Sequence, residues 1–478
     1  MAGLSAIQRR FSPLSRRRWL FDAGAGFGWM ALSWLTHREA LAAGAARGNA
    51  PASRSSQLPH FTPRAKRVVQ VFALGGMSHL DTLDYKPELA RRNGTPFNMT
   101  TFFGEAGHLY GSPFEFRRRG ESGLWVSSLL PNLADCADNL TLIQSMVSKS
   151  ANHMPAVAQM NTGFPLSGFP SMGAWISYGL GTENEDLPAF VVLPDPADHP
   201  WGGVLQWGAS FLPASHQGTP FRTSGDALHD LTTPESVPPA QRRAGLKWLT
   251  RMNRVYQQAH PGDSSLEARL KSYELAARMQ LSVPEIADVE RESESTRRLY
   301  GLDAKETEAF GRRCLLARRL LERGVRFVQV YNGGPGNSWD AHGRLEKNHT
   351  KMAREYDRPV AGLLRDLDSR GMLEDTLVLG VTEFGRTPVA QGGALGRDHH
   401  PECFTCWLAG AGLKRGFIYG ASDDLGYKPA EKPVTIYDYH ATVLHLLGID
   451  HKRLTYYHNG IERRLTDVHG HAVTEIMA

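Results

Sequence analysis

Cysteine is scarce in this chain, and the few that occur do not form a recognisable metal or redox motif. The 478 residues include four cysteines, of which Cys403 and Cys406 are spaced as a CxxC pair. No second CxxC accompanies this pair, and it lies within an apolar, strand-like run. We therefore predict buried thiols rather than a zinc or redox site, although export of the protein would permit disulfides.

Beyond the first 42 residues the basic and acidic side chains nearly balance, and a glycine fingerprint for a dinucleotide is missing. The formal net charge is +5, and the first 42 residues account for most of it, because they hold six arginines against Asp22 and Glu39. The sequence therefore predicts no nucleic-acid partner. The segment GLGTEN (179–184) lacks the strand–turn–helix context of a dinucleotide loop, which argues against an oxidoreductase.

The N-terminus has the features of an export signal. SRRRWL (15–20) resembles the twin-arginine signal, and a Gly/Ala-rich apolar stretch (23–35) and a small-x-small site (40–42) follow it. The alternative is an amphipathic anchor or short membrane helix, but the stretch is shorter than the ~20 residues of a span, so no stable span is predicted. We predict a signal peptide over 1–42, a linker over 43–64, and a periplasmic or secreted protein that meets the twin-arginine translocase during export.

Strands and helices alternate along the rest of the chain. Apolar, β-branched runs predict buried strands at 67–76, 140–146, 189–194, 325–334, 376–385 and 404–412. Helical spacing predicts helices at 265–280, 309–324, around 356–367 and at 437–450. This alternation predicts an α/β fold, a single domain over 65–478 with a mostly parallel sheet and helices on both faces. Residues 197–300 are richer in polar and Pro residues and are predicted to be an insertion or cap.

Acidic and imidazole side chains gather where the predicted strands end. In a parallel sheet these ends meet at one edge, where the sites of α/β proteins lie. The candidate metal ligands are Asp81, Asp340, His342, Glu383, His399 and His400. Each alone is ambiguous, because a strand-end Asp often caps a helix. Their convergence indicates one or two divalent metal ions, such as zinc, manganese, iron or calcium.

Several motifs resemble those of the DUF1501 family of secreted bacterial proteins. They are SHLDTLD (78–84), SANHMPAVAQMNTG (150–163), SMGAWISYGLG (171–181), WDAHG (339–343), EFGRTP (383–388), GRDHH (396–400) and LTDVHGH (465–471). The segment YDYHATVLHLLGID (437–450) also resembles a helix of the alkaline-phosphatase-like superfamily, which includes the sulfatases. This resemblance implies an alkaline-phosphatase-like core with two metal ions. It also implies a nucleophile at a helix N-terminus, where the helix dipole favours an anionic ester.

The resemblance also assigns roles to individual residues. Asp340, His342 and His399 look like ligands of one metal ion, and Glu383 takes the place of an Asp that binds the other. His153 occupies the position of the nucleophile. Imidazole can attack phosphorus directly, or His153 is a ligand and a metal-bound water attacks instead.

Two arginines are further candidate site residues, and the chain departs from the superfamily pattern at two positions. Arg386 and Arg397 flank the loop, and guanidinium pairs well with a tetrahedral oxyanion, so they are candidate catalytic residues; surface solvation is the alternative. Phe384 stands where the superfamily has a second His ligand. The absence of Ser, Thr or Cys at position 153 argues against a sulfatase of the formylglycine type.

The sequence supports two functions. The first is an exported metal-dependent hydrolase of phosphate or sulfate esters, whose partner is an anionic ester substrate. The alternative is a non-catalytic exported protein that binds a sulfated or phosphorylated glycan. The departures at Phe384 and His153 are the features that favour this alternative.

Overall fold

The computed structural model of the chain describes residues 59–103, 106–196, 198–222, 238–259, 274–276, 278–279, 282–391 and 395–478. The predicted signal peptide (1–42) and most of the predicted linker (43–64) lie outside the described residues. Parts of the predicted insertion (197–300), including most of the helix predicted at 265–280, lie outside them as well.

A nine-stranded sheet forms the centre of the described chain. Its strands are β1 (Arg67–Ala73), β2 (Leu140–Val147), β3 (Phe190–Leu193), β4 (Thr219–Pro220), β5 (Phe327–Asn332), β6 (Thr376–Val381), β7 (Phe404–Ala409), β8 (Phe417–Tyr419) and β9 (Val434–Thr435). Their order across the sheet is β8-β2-β7-β6-β1-β5-β3-β4, and β9 also pairs with β2. Every pairing is parallel except those of β7, which runs antiparallel to both β2 and β6. The predicted α/β fold with a mostly parallel sheet is confirmed.

Most of the longer helices pack on the sheet, and shorter elements connect the strands and helices. The longer helices are α1 (His153–Thr162), α2 (Met172–Leu180), α3 (Pro239–Ala259), α4 (Lys305–Glu322), α5 (Leu345–Ser369) and α6 (Ile436–Leu446). Short helices span His79–Thr82, Pro87–Arg91, Pro131–Ala134 and Glu294–Leu299. Single 3₁₀ turns span Ala137–Asn139, Gly203–Trp207, Ala214–His216, Val289–Arg291, Met372–Glu374 and Thr474–Ile476. Within the described ranges, no helix combines the length and apolarity needed to cross a membrane.

Short two-stranded ribbons lie outside the central sheet. They pair Ala106–Leu109 with Val389–Gln391, Phe116–Arg119 with Leu124–Ser127, Gly385–Arg386 with His399–His400, Ala421–Ser422 with Pro429–Glu431, and Tyr456–His458 with Ile461–Arg463. The ribbon that contains His399 lies between β6 and β7 in the chain.

Hydrophobic cores form on both faces of the sheet. Successive side chains of a strand point to opposite faces, and Val69 of β1 lies in one buried cluster with Leu316 of α4 and Leu364 of α5. On the other face, Val68 packs in one cluster with residues of α1, α2 and α6, such as Val443. The prediction of helices on both faces is therefore confirmed. All four cysteines are buried and unpaired, as predicted for buried thiols.

The strand directions bring distant segments to one edge of the sheet. β1, β2, β5 and β6 run parallel to one another in the sheet, so their carboxyl ends meet at the same edge. β7 is antiparallel and therefore begins at that edge. The edge thus collects the segments that follow four strands and the segment that leads into a fifth.

Glycine after β1 lets two loops approach each other closely at this edge. Gly75 and Gly76 have φ angles of +108° and +71°, a region that other residues rarely adopt. A Cβ atom at Gly75 would collide with the backbone nitrogens of Trp339 and Asp340. The Trp339 amide donates a hydrogen bond of 2.8 Å to the carbonyl of Leu74. Asp340 is therefore held against the end of the central strand.

Gly380 provides a test of packing between β6 and β7. It lies opposite the buried Trp407, and a Cβ atom at Gly380 would overlap with the indole ring. We expect Gly380→Ala to lower the free energy of unfolding by about 1–3 kcal/mol, the usual cost of overpacking a core. Urea denaturation measures this loss. Gly245→Ala in the exposed helix α3, where a Cβ has no neighbour within 4 Å, is the matched control and should not destabilise the protein. Equal unfolding midpoints for the two variants would contradict the packing described here.

Candidate metal centre

Asp340 is the side chain on which the candidate site converges. It follows β5 and remains 27% exposed, so the site is open to solvent on this side. The fully buried Arg386 donates a hydrogen bond of 2.7 Å from Nη2 to Asp340 Oδ1. Arg386 also donates from Nε to the carbonyl of Gly76, at 2.9 Å. The arginine is therefore fixed beneath the carboxylate and neutralises part of its charge, and it is not free to meet a substrate.

His399 presents one ring nitrogen to Asp340 and uses the other to fix its orientation. Its Nδ1 lies 2.6 Å from the carbonyl oxygen of Ala151, which can only accept a hydrogen bond. Nδ1 therefore carries the proton, and in the neutral ring Nε2 has a free lone pair. This Nε2 lies 3.2 Å from Asp340 Oδ1. The ring of Phe384 packs 4.6 Å from that of His399 and forms one wall of the site.

His342 is oriented in the same way by an amide side chain. Its Nδ1 lies 2.6 Å from Gln391 Oε1, and Gln391 Nε2 donates at 3.0 Å to the carbonyl of Phe103. The second bond fixes the amide, so Gln391 Oε1 accepts and His342 Nδ1 donates. His342 Nε2 then has the lone pair, and it lies 3.0 Å from Asp340 Oδ1 and 2.9 Å from His399 Nε2.

His153 is the first residue of α1, and a carboxylate orients its ring. Asn152 caps the helix by accepting a hydrogen bond from the amide of Met154, which sets the start of the helix. His153 Nδ1 donates to Glu383 Oε1 at 2.7 Å. Its Nε2 is buried, lies 3.3 Å from Asp340 Oδ2, and has no aligned hydrogen-bond partner.

Glu383 supports His153 from behind rather than facing the centre of the cluster. The carboxylate is fully buried and accepts hydrogen bonds from the amide of Gly75, at 2.9 Å to Oε1, and from His153. Carboxylates that orient a histidine through its second nitrogen are common next to metal sites. Glu383 was predicted as a metal ligand. In the structure its carboxylate contacts the far side of the His153 ring, so His153 lies between Glu383 and Asp340.

Asp81 and Arg397 form a separate ion pair. Arg397 Nε donates to Asp81 Oδ2 at 2.8 Å, and both side chains are fully buried. Ser78 Oγ donates to the same carboxylate. Asp81, predicted as a ligand, and Arg397, predicted as a catalytic residue, therefore direct their charged groups at each other and not at the imidazoles.

His400 points away from the cluster that its neighbour joins. His399 and His400 lie on a two-residue strand, in which successive side chains face opposite sides. His400 Nε2 contacts the carbonyl oxygen of Tyr427 at 2.5 Å, and burial lowers the pKa of this imidazole to about 4. Among the predicted ligands, the structure thus groups Asp340, His342 and His399, with His153 beside them.

The three imidazole Nε2 atoms and the Asp340 oxygens can bind a cation, but when the rings are neutral these atoms cannot hydrogen-bond to one another. In the neutral rings, the Nε2 atoms of His153, His342 and His399 carry lone pairs, and all of them face the Asp340 carboxylate. Among the described residues, two sets of possible ligand atoms lie within 4.8 Å of one another: His153, Asp340 and His399, and His342, Asp398 and His399. Ligands of a tetrahedral zinc ion with bonds of about 2.0–2.1 Å lie roughly 3.3 Å apart. The distances of 3.0–3.3 Å around Asp340 match this spacing, so the residues present fit a bound divalent cation.

The electrostatics of the cluster favour an ionised Asp340 carboxylate and a neutral His399 ring. Burial raises the pKa of Asp340, but the adjacent imidazoles, when their Nε2 atoms are protonated, and the charge of Arg386 outweigh burial and hold the pKa well below its usual range. Burial lowers the pKa of His399 to about 4, so this ring is neutral at neutral pH. Burial also lowers the pKa of His153, but Asp340 and Glu383 outweigh it and raise the pKa above its ordinary value.

The sequence reasoning missed the groups that orient the imidazoles. Neither Gln391 nor the carbonyl of Ala151 has a sequence signature, because their roles depend on where two loops meet. Trp201 also escaped notice, and its indole stacks on the His153 ring at 4.1 Å. It belongs to the segment predicted as an insertion (197–300), so this part of the segment borders the site. Phe103, whose ring lies 5.4 Å from both His342 and His399, lines the opposite side.

A family model described as "Protein of unknown function (DUF1501)" matches residues 65–477. Similar solved structures include the lipoteichoic acid synthase LtaP from Listeria monocytogenes, at 11% identity over 84% of this chain and 76% of that chain with a TM-score of 0.36. The PsFucS1 sulfatase from Pseudoalteromonas sp. matches at 13% identity over 84% and 74% of the two chains, with a TM-score of 0.34. An alkaline phosphatase superfamily protein from Vibrio parahaemolyticus matches at 10% identity over 82% and 70%, with a TM-score of 0.38. A comparison with curated protein sequences gave no match.

The Asp81–Arg397 pair predicts a loss of stability without a loss of metal. Asp81→Asn leaves a buried guanidinium without its counter-charge, and we expect the free energy of unfolding to fall by about 3–5 kcal/mol. Urea denaturation measures the fall, and elemental analysis of the folded fraction measures bound metal. Asp340→Asn is the matched comparison and should lose metal instead. Loss of metal from folded Asp81→Asn at unchanged stability would make Asp81 a ligand.

The Asp81–Arg397 pair also predicts that the difference in unfolding free energy between wild type and Asp81→Asn depends on pH. Burial raises the pKa of Asp81, but Arg397 outweighs burial and lowers it overall. The pair therefore stabilises the fold above the ordinary Asp value of about 3.9. Its contribution is lost as the pH falls below that value toward the lower pKa of the folded state. The difference between wild type and Asp81→Asn should accordingly shrink on acidification.

Proposed function

The chain belongs to the DUF1501 family, as its motifs predict, and on this premise we propose that it is an exported, metal-dependent hydrolase of phosphate or sulfate esters. One observation carries the proposal. Three imidazole nitrogens and a carboxylate from distant parts of the chain converge at the open edge of the sheet. Export rests on the twin-arginine-like sequence at residues 15–20, which lies outside the described residues.

The cation would be held by Asp340, His342 and His399, with His153 beside it. A bound divalent cation supplies positive charge that polarises an ester oxygen and lowers the pKa of water. The chain itself fixes the ligands before substrate arrives. Arg386 holds the Asp340 carboxylate, and Gln391 and the carbonyl of Ala151 hold the two imidazoles.

His153 is the residue best placed to act on the substrate. Glu383 holds the proton on Nδ1, so Nε2 turns its lone pair toward Asp340 and the candidate metal ligands. Two routes use this nitrogen: direct attack on the phosphorus or sulfur atom, or removal of a proton from the attacking water. In either route the hydrogen bond to Glu383 stabilises the positive charge that develops on the ring. In the first route the bond to the ester oxygen breaks as the bond to Nε2 forms, and water then breaks the bond to Nε2. In the second route the proton taken by Nε2 passes to the departing alcohol oxygen. In both routes the ester oxygen leaves with the alcohol, and water supplies the new oxygen of the product anion.

The position of His153 at a helix N-terminus supports an anionic substrate. The N-terminus of α1 carries partial positive charge from its backbone N–H groups, which favours a phosphate or sulfate group in front of it. Trp201 stacks on the His153 ring and excludes water from one side. The arginines are buried in ion pairs, so we assign to Arg386 and Arg397 the positioning of Asp340 and Asp81 instead of contact with the transferred group.

A second candidate function is the binding of a sulfated or phosphorylated glycan without turnover. Phe102 and Phe103, which are 45% and 47% exposed, lie beside His399 and could stack on a sugar ring. Phe384 occupies the position of a second His ligand in the superfamily that the motifs resemble. Bound metal and bound glycan without any ester turnover would favour this candidate.

Loss of a central ligand should remove both metal and turnover. We expect Asp340→Ala and His399→Ala to lower turnover of aryl phosphate or aryl sulfate esters by more than about 10²-fold, the scale of lost electrostatic assistance. Elemental analysis of the purified variants should show less metal than in wild type. His469→Ala, an exposed imidazole in the C-terminal segment, is the control and should retain both. Full turnover by Asp340→Ala would contradict the proposed site.

Glu383→Gln should separate orientation of His153 from binding of substrate. The amide cannot accept the Nδ1 proton as strongly, so the ring loses its fixed tautomer, and we expect kcat to fall by about 10²–10⁴-fold with a small change in KM. Steady-state kinetics on the same aryl esters measure the two constants. Glu402→Gln, an exposed carboxylate, is the control. A phosphoryl group trapped on His153 by alkaline quenching would select direct attack, and its absence during turnover would select the proton-removal route.

A further inference from the structure

Helix α3 (Pro239–Ala259) is a long helix whose apolar side chains are left in solvent. None of the side chains described on this 21-residue helix is buried. Trp248, Met252 and Val255 are 63%, 51% and 62% exposed. Large apolar side chains occur singly on many surfaces, but a group on one element usually marks an interaction site.

The exposed apolar side chains form one stripe. Trp248, Met252 and Val255 are spaced by four and three residues, so they lie above one another on the same face of the helix. The apolar faces of helices α4 and α5 are buried in the core on one side of the sheet. The stripe of α3 has the same spacing and belongs to neither of the main cores on the sheet.

A stripe of basic residues runs beside the apolar one. Lys247, Arg251 and Arg254 each precede a member of the apolar stripe by one residue, which places the two stripes about 100° apart around the helix. The helix sequence PAQRRAGLKWLTRMNRVYQQA also contains Arg242 and Arg243 and has no acidic residue. α3 is therefore strongly cationic in a chain whose overall net charge is only +5.

We propose that α3 attaches the protein to the surface of an anionic phospholipid membrane. A helix with aromatic and aliphatic side chains on one face and Lys and Arg next to them lies in the plane of a lipid interface. The apolar stripe would enter the boundary between head groups and acyl chains. The basic stripe would remain at the level of the phosphates, because long basic side chains keep their charged ends in water.

Charge complementarity selects this occupant over a second copy of the chain. Two α3 helices packed face to face would bring two acid-free, strongly basic stripes together, and like charges at close range repel. An anionic lipid surface supplies opposite charge to the whole length of the helix. The proposal is independent of the ester hydrolase proposal, because it uses none of the residues around Asp340.

Vesicle co-sedimentation of the full chain tests the attachment. Wild type should partition onto phosphatidylcholine vesicles that contain phosphatidylglycerol, less onto phosphatidylcholine alone, and less again at high salt. Arg251→Gln with Arg254→Gln should lower the partition coefficient about 30-fold, from about 1 kcal/mol for each basic residue at the surface. Trp248→Ser with Val255→Ser should lower it by at least about 10-fold through lost apolar insertion.

Matched changes elsewhere control for non-specific effects. Lys452→Gln with Arg453→Gln removes two exposed charges, and Val468→Ser removes an exposed apolar side chain, so both should partition as wild type. Residues 1–58 are identical in all variants and therefore contribute equally. The altered side chains are exposed in the folded protein, and unchanged thermal midpoints and ester turnover would show that the fold and the Asp340 cluster are intact.

Four results would overturn the attachment. Wild type could show no preference for anionic vesicles, or the α3 variants could partition as wild type does. Alternatively, Trp248→Ser with Val255→Ser could convert a dimer into a monomer in sedimentation velocity, in which case a second copy covers the stripe. Binding of a soluble sulfated polysaccharide through α3, without binding to vesicles, would also overturn it.

Discussion

The mutual repulsion of lone pairs around Asp340 is the constraint on which the candidate site depends. His342 and His399 bring their Nε2 atoms to within 2.9 Å of each other and of the same carboxylate oxygen at 3.0 and 3.2 Å. These atoms accept and do not donate when the rings are neutral, so their proximity is favourable only around positive charge. The Ala151 carbonyl orients the His399 ring, and Gln391 orients the His342 ring. Both rings therefore direct their Nε2 lone pairs at Asp340 Oδ1.

Buried counter-charges make this concentration of acidic and imidazole groups tolerable within a folded protein. Asp340 is paired with Arg386, and Asp81 with Arg397, and both arginines are fully buried. An isolated buried carboxylate would cost several kcal/mol or would become protonated. Arg386 and Arg397, which flank the loop in the sequence, therefore stabilise the buried carboxylates of Asp340 and Asp81. Their guanidinium groups are ordered by backbone carbonyls, including that of Gly76, as well as by carboxylates.

The sequence predicts the mostly parallel sheet and the edge at which the candidate side chains gather, but not which way each of those side chains points. Continuous apolar runs identify buried strands such as β1 and β6, and parallel strands send their polar ends to one edge. Side-chain direction within a loop is set by tertiary contacts that leave no periodicity. His399 and His400 are adjacent and chemically identical, yet the ribbon with Gly385–Arg386 turns them to opposite sides. In the same way, Glu383 lies behind His153 because the amide of Gly75 and the ring draw its oxygens inward.

The antiparallel direction of β7 affects when the cluster can form during synthesis on the ribosome. His399 enters the cluster on the segment that leads into this strand, and the carbonyl that orients its Nδ1, that of Ala151, is 248 residues earlier in the chain. At a synthesis rate of about 5–20 residues per second, the nascent chain spends roughly 12–50 seconds with the first part of the pocket exposed and the last ligand not yet made. A cation bound as proposed would therefore be captured only near the end of translation, when most of the chain is already available to enclose it.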